Sequence, residues 1–251
     1  MKGLLPLLKK EIKEQWRTYR WLITGSVFLF FGITTPLTLK YLPDILKMAA
    51  EQYAIAMPPP TAAQSLMEFS GTIGQIGILV AVLLAMGAIA SERQRGTAVF
   101  TLSKPVSYAA FVQAKFMAIS LTFIISLIAA SAICFAYTVW LIESAAVMPF
   151  AGMMLLLGMF LLFAIAITLL FSCVFTSSIA AGGISIGVII AFSALSSVPV
   201  VGDYLPGKLL SWGNNLLTAS SHPYWWALGV TVALTVTCLI LAPRILKNKE
   251  I

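Results

Sequence analysis

The sequence predicts an all-α membrane protein with six transmembrane helices, and three observations lead to this fold class. First, 60% of the 251 residues are hydrophobic and 10% are charged, whereas soluble domains are about 45–50% apolar and about 25% charged. Second, the basic residues collect in connections that would lie on one side of a membrane. Third, the chain contains six apolar runs of about the 20 residues that a helix needs to cross a bilayer. These runs cover residues 21–39, 72–90, 116–142, 150–175, 179–201 and 224–243.

The distribution of basic residues predicts the orientation. All but three of the 16 Lys and Arg residues lie at the N-terminus, in residues 91–115 or at the C-terminus. The exceptions lie in the two connections expected on the other side, residues 40–71 and 202–223. Connections rich in Lys and Arg stay in the cytoplasm. We therefore expect a multi-pass protein of the cell membrane with both termini cytoplasmic and with outer segments at 40–71 and 202–223.

Residues 1–20 precede the first apolar run and are predicted to form an interfacial amphipathic helix, followed by a six-span domain over residues 21–251. Leu8, Ile12, Trp16 and Tyr19 recur at helical spacing and form one apolar face. Basic residues crowd the rest of the segment, so such a helix lies in the membrane interface with its charges toward anionic lipid. The alternative is a positively charged flank that only fixes the topology.

Residues 91–115 form a charged segment between the second and third apolar runs. The segment leaves the membrane with charged residues, Gly96 permits a sharp bend, and an apolar group then follows and ends at Pro105. An apolar group exposed among charges is typical of an element that docks to another protein; the alternative is a solvated connector. The candidate docking residues are Glu92, Arg93, Arg95, Gly96, Thr97, Val99, Phe100, Leu102 and Pro105.

Two further features concern packing. Gly183 and Gly187 form a pattern of small residues four apart on the fifth run, which predicts either a dimer contact or close packing within one bundle. Residues 202–223 carry leucines and Trp212 at spacings that predict a short outer helix, half-buried in the outer leaflet, before the last span.

The residues that catalysis would need are missing from the predicted spans. Three cysteines within apolar runs and a single His provide neither a disulfide framework nor a metal spacing. The stretch GDYLPGKL at 202–209 approaches the phosphate-loop pattern, but Leu209 replaces its Ser or Thr and Pro206 removes a backbone N–H. Ionisable residues are nearly absent from span interiors, which argues against ion-coupled carriers and intramembrane enzymes. We therefore expect no catalytic residues, no metal site and no nucleotide site in this chain.

The order of residues in SERQRGTAVFTLSKPVSYAAFVQAKF, positions 91–116, resembles the signature of type-2 ABC transporter permeases. The sequence departs from that signature at Ala98, where Leu is usual, and at Ala114, where Gly is usual. The overall layout, with an amphipathic N-terminal helix and six spans, also agrees but is shared by many membrane proteins. The matching residues are Glu92, Arg93, Gly96, Thr97, Ser103, Pro105, Val106, Ser107 and Lys115.

This resemblance implies a non-catalytic permease subunit of an ATP-driven exporter. It implies that the 91–115 segment is a cytoplasmic coupling helix that inserts into a separate ABC ATPase, and that the N-terminal helix is an elbow along the membrane. Two permeases, a second copy or a paralogue, would assemble with two cytoplasmic ATPase subunits in the lipid membrane. ATP and Mg would be bound by the ATPase, with no cofactor on this chain and no nucleic acid. The alternative is a membrane sensor or assembly factor that binds an ATPase without transporting a substrate.

Overall fold

The computed structural model of the chain describes residues 3–49, 59–97, 103, 106–218 and 223–249, with the backbone alone for residues 46–49. All regular secondary structure in these ranges is helical. A short 3-10 turn, Gly202–Tyr204, connects the sixth and seventh helices. The α-helices are α1 (Leu4–Arg17), α2 (Arg20–Ala49), α3 (Ala62–Gln94), α4 (Tyr108–Leu141), α5 (Val147–Val174), α6 (Ser178–Leu195), α7 (Lys208–Leu217) and α8 (Trp225–Asn248).

Six of these helices are long and apolar enough to cross a membrane: α2, α3, α4, α5, α6 and α8. The prediction of an all-α membrane protein with six spans is therefore confirmed. The two remaining helices, α1 and α7, are shorter and amphipathic, and they precede the first and the last span, where the sequence predicts them.

Helix α5 is the centre of the bundle. It carries no charged residue, and 67% of its most apolar stretch is buried, against 22% for α6 and for α8. Helices that are apolar on all sides are typical of such central positions. Helix α5 packs on α3, α6, α7 and α8, while α2 packs mainly on α4. Gly32 permits the close approach of α2 to α4, because a Cβ there would lie 2.8 Å from the carbonyl oxygen of Ala130.

Several helices extend beyond the apolar runs that predict them. Helix α2 continues through Pro36 and Pro43 to Ala49, although its run ends at residue 39. Helix α3 begins ten residues earlier than its run, because Thr61 and Gln64 form a reciprocal capping box at its start. Part of the predicted outer segment 40–71 is therefore helical, and residues 50–58 lie outside the described ranges. Helix α6 ends at Leu195, short of the predicted 201.

The charged connection is shorter than the predicted 91–115. Helix α3 continues to Gln94, and α4 begins at Tyr108, where the Ser107 side chain accepts a hydrogen bond from the Ala110 N–H at 3.1 Å. The connection between the helices is therefore residues 95–107. Lys115, which the sequence places at the membrane entry, lies two turns inside α4.

Candidate functional site

Four parts of the chain meet at one end of the bundle, which we call the charged end: α1, the end of α3 with the start of α4, the α5–α6 connection and the end of α8. Arg93 Nη1 donates a hydrogen bond to the Cys173 carbonyl at 2.9 Å, and Lys249 Nζ donates to the Val174 carbonyl. The start of α1 reaches the α3–α4 connection, because a Cβ on Gly3 would lie 3.2 Å from Val106. The predicted cytoplasmic segments are therefore neighbours in space.

A buried lysine lies at the centre of the charged end. Lys115 on α4 is 3% exposed, and its Nζ lies 3.1 Å from both carboxylate oxygens of Glu11 on α1 and 2.7 Å from Oε1 of Glu92 on α3. The same ammonium lies 5.0 Å from the ring centroid of Phe111. One side chain thus connects three helices through charge-assisted hydrogen bonds, which are roughly twice as strong as neutral ones. We call Glu11, Glu92 and Lys115 the buried triad.

A second lysine lies at the solvent edge of the triad. Lys10 Nζ is 3.5 Å from Glu11, 3.9 Å from Glu14 and 3.8 Å from Glu92. Oxygens of these three carboxylates approach within 4.8 Å of one another, a geometry that requires positive charge nearby. The ammonium groups of Lys115 and Lys10 supply that charge, so the arrangement is an ion-pair network.

The end of α3 explains how Glu92 reaches the triad. The Arg95 N–H donates to the Ser91 carbonyl, and the Gly96 N–H donates to the Arg93 carbonyl, both at 3.0 Å. Gly96 adopts a φ of 70°, the left-handed conformation that commonly ends a helix at glycine. Glu92 is therefore held in the last regular turn, immediately before the chain reverses.

The structure places the predicted docking residues in different surroundings. Glu92 and Arg93 bind other parts of this chain, as described above, while Arg95 and Thr97 are exposed and the Thr97 hydroxyl donates to the Glu92 carbonyl at 3.2 Å. Gly96 ends α3, and Val99, Phe100, Leu102 and Pro105 lie outside the described residues. The docking role of all nine residues stays a prediction.

Helix α1 packs on the bundle through a different side from the apolar face that the sequence predicts. It packs against α4 through Leu7, Glu11 and Gln15, which are buried. Three residues of the predicted apolar face are exposed: Ile12 by 38%, Trp16 by 62% and Tyr19 by 65%. Leu8 is partly buried, and Tyr19, with a φ of 56°, forms the corner between α1 and α2. Sequence reasoning missed Glu11 and Gln15, although their spacing of four with Leu7 is the available signal.

Helix α3 receives a polar contact from α5 one turn before Glu92. The Ser172 hydroxyl donates to the Met86 carbonyl at 2.8 Å and accepts from the N–H groups of Ile89 and Ala90 at 3.1 and 3.0 Å. The contact joins side chain to backbone, so it fixes the position of α3 on the central helix.

The two candidate dimer glycines lie on the outside of the chain. Gly183 and Gly187 are exposed on α6, and a Cβ at either position would meet no atom within 4 Å. By contrast, a Cβ on Gly182 would lie 2.6 Å from Met86 Sδ. Packing inside this chain therefore explains Gly182 but not Gly183 or Gly187.

The near-match to a phosphate loop has a different structure at the opposite end of the bundle. Residues 202–204 form the 3-10 turn, and Lys208 begins α7. Lys208 Nζ lies 3.0 Å from Asp203 Oδ1 and 5.0 Å from the Tyr224 ring centroid, and the hydrogen bond to Asp203 raises the pKa of Lys208. The lysine that would hold a phosphate is thus bound to a carboxylate. Helix α7 buries Leu209 and Trp212 against the bundle.

Comparisons with known proteins identify the family. Residues 5–219 match the family described as "ABC-2 family transporter protein". The chain is also similar to a protein of Bacillus subtilis (strain 168) described as "Uncharacterized transmembrane protein YxlG", with 25% identity over 245 residues that cover 96% of this chain and 94% of that protein. The family match includes α1 to α7 and therefore every residue of the buried triad. The resemblance deduced from residues 91–116 is confirmed: the chain belongs to the ABC-2 transporter family, whose members are membrane subunits of ABC transporters.

Proposed function

We propose that this chain is the permease subunit of an exporter and that it couples ATP hydrolysis by a separate cytoplasmic ATPase to movement of a cargo. The observation that carries the proposal is the buried triad, which lies at the two ends of the 95–107 connection. Glu92 lies at the end of α3, Lys115 lies near the start of α4, and Glu11 joins both to α1. A force on the connection is thereby distributed over three helices, which is what a coupling element requires.

The charge distribution supports a cytoplasmic position for the charged end. The N-terminal helix, residues 91–115 and the C-terminus hold most of the Lys and Arg residues and come together at this end. Positive segments stay in the cytoplasm, where the ATPase would bind ATP and Mg. Export is the direction that the resemblance implies.

Association with an ATPase is the first test. The tagged chain should co-purify with an ABC ATPase subunit from the same cells, and the pair should hydrolyse ATP faster in proteoliposomes than the ATPase alone. Phe100→Asp should reduce co-purification at least about tenfold, because a charge in an apolar docking group costs more than 1.4 kcal/mol. Ile128→Asn, a polar change at an exposed position of α4, is the control. Equal recovery and equal hydrolysis with Phe100→Asp would refute docking through this connection.

A second copy is proposed to cover one exposed face formed by α3 and α6. Helix α3 exposes Gln64, Glu68 and Gln75 at helical spacing, and acyl chains solvate such groups poorly. The same side of α3 packs on α6 further along, where Gly182 approaches Met86. The polar stripe and the exposed glycines therefore belong to two helices that pack on each other, and a single partner is proposed to cover both.

Cysteine cross-linking tests the dimer face. Gly187→Cys should form a disulfide-linked dimer in oxidised membranes, because residues at a two-fold contact lie opposite their own copies. The native cysteines are buried and should not interfere. Leu155→Cys, 63% exposed on α5, is the control and should remain monomeric. A monomeric Gly187→Cys, or equal cross-linking of both variants, would place the dimer contact elsewhere.

A further inference from the structure

A cleft separates the exposed edge of α1 from α4 on the side of the bundle. Its volume is about 240 Å³. Ile12 and Trp16 of α1, Trp21 of α2 and Leu121 and Ile125 of α4 form its apolar walls. The rings of Trp16 and Trp21 stack with centroids 4.3 Å apart and form a flat wall at its α1–α2 side. An apolar cleft of this kind accepts a chain-like apolar group and repels water.

The depth of the cleft fits the upper part of an acyl chain. Leu121 and Ile125 lie about 9 and about 15 Å further along α4 than Lys115, at about 1.5 Å per residue. Both side chains are open to the outside, at 45% and 59% exposure, so the cleft is accessible from the side. With the membrane surface placed at the charged end, as the positive-inside rule indicates, the cleft begins directly below that surface.

The charges beside the cleft are positive. Lys9, Lys13 and Arg17 recur every four residues on α1 and are all exposed. On a helix of 3.6 residues per turn this stripe is adjacent to Ile12 and Trp16 on the side away from the bundle. Glu14 lies on the other side of the stripe, next to Lys10. A headgroup above the cleft would therefore meet cations, which favours an anionic lipid over a zwitterionic one.

We infer that this cleft is a binding site for one anionic phospholipid. One acyl chain lies against Ile12, Leu121 and Ile125 and beside the Trp21 ring, and the phosphate faces Lys13 and Arg17. The lipid would fill the space between α1 and α4 and so support the helix that carries Glu11. This site requires neither the ATPase nor a cargo.

Native mass spectrometry of the delipidated full chain, titrated with phosphatidylglycerol or phosphatidylcholine, tests the site. One phosphatidylglycerol should be retained per chain, and more tightly than phosphatidylcholine. Each basic group near a membrane surface increases affinity about fivefold, so Lys13→Gln with Arg17→Gln should weaken retention about thirtyfold. Lys208→Gln, a basic residue at the opposite end, should have no effect.

A variant within the cleft distinguishes lipid bound at this site from anionic lipid attracted only to the basic residues of α1. Leu121→Gln places a polar group in the cleft at an exposed position and should reduce phosphatidylglycerol retention, whereas Ile128→Gln, exposed on the same helix outside the cleft, should not. If Leu121→Gln does not fold, quenching of tryptophan fluorescence by phosphatidylglycerol brominated on its acyl chain replaces it, and Trp21→Phe should remove a large part of the quenching. Equal retention of both lipids, equal loss in Leu121→Gln and Ile128→Gln, or unchanged quenching in Trp21→Phe would overturn the inference.

Discussion

Lys115→Met should destabilise the protein by about 3–5 kcal/mol, because it removes one partner of a buried ion pair and leaves the other charges uncompensated. Lys115 is 3% exposed and contacts Glu11 and Glu92 at 3.1 and 2.7 Å. Methionine fills a similar volume, so the loss reports the charge rather than a cavity. Thermal unfolding of the purified protein in detergent, followed by loss of the monodisperse peak on size exclusion, measures the effect.

Two controls define this first prediction. Lys208→Met removes an ion pair of similar length, at 3.0 Å, but its carboxylate partner is 50% exposed, so it should cost under about 1 kcal/mol. Combining Lys115→Met with Glu11→Gln and Glu92→Gln removes all three buried charges and should recover much of the stability, since a neutral group in place of a complete buried pair is often tolerated. If Lys115→Met and Lys208→Met unfold at the same temperature, the triad does not hold the helices together.

Glu92→Ala should uncouple the ATPase from the permease while the complex still assembles. The substitution separates the end of α3 from Lys115, whereas Lys115 retains both oxygens of Glu11 at 3.1 Å, so the loss of stability should be smaller than for Lys115→Met. Coupling free energies between sites are typically about 1–3 kcal/mol. We therefore expect the stimulation of ATP hydrolysis by the permease to fall at least about fivefold.

The matched variant for this second prediction is Glu14→Ala. Glu14 belongs to the same acidic group, but it contacts Lys10 at 3.9 Å rather than Lys115, and its side chain is 40% exposed. Its removal should leave the stimulation close to that of the wild type. Full stimulation in Glu92→Ala, at equal yield of the complex, would show that the triad is structural only.

The spans and the family were predictable because their signals are local. Each span is a continuous apolar run, and the family signature lies within 26 consecutive residues. The earlier start of α3 was also readable, since Thr61 and Gln64 match the capping-box pattern. The continuation of α2 past Pro36 and Pro43 was not, because proline inside a helix is tolerated only where the neighbouring structure satisfies the freed carbonyl groups.

The buried triad was only partly predictable, because its contacts join distant positions. Glu92 and Lys115 both belong to the recognised signature, but Glu11 lies 104 residues before Lys115. The amphipathic pattern of α1 directs attention to Ile12 and Trp16, which remain exposed, and away from the polar residues that the fold buries. The burial of Glu11 on the bundle side of α1 can be explained only once its partner, Lys115, is known.

The hydroxyl of Ser172 divides α3 into arms of unequal length. From its contacts with Ile89 and Ala90, the short arm reaches Gln94 after about 6 Å, whereas the long arm reaches Ala62 after about 40 Å at about 1.5 Å per residue. The Ser172 contact lies on the most deeply buried span. A tilt of α3 about this contact would displace the start of the helix, beside Gln64 and Glu68, several times further than its end beside Glu92.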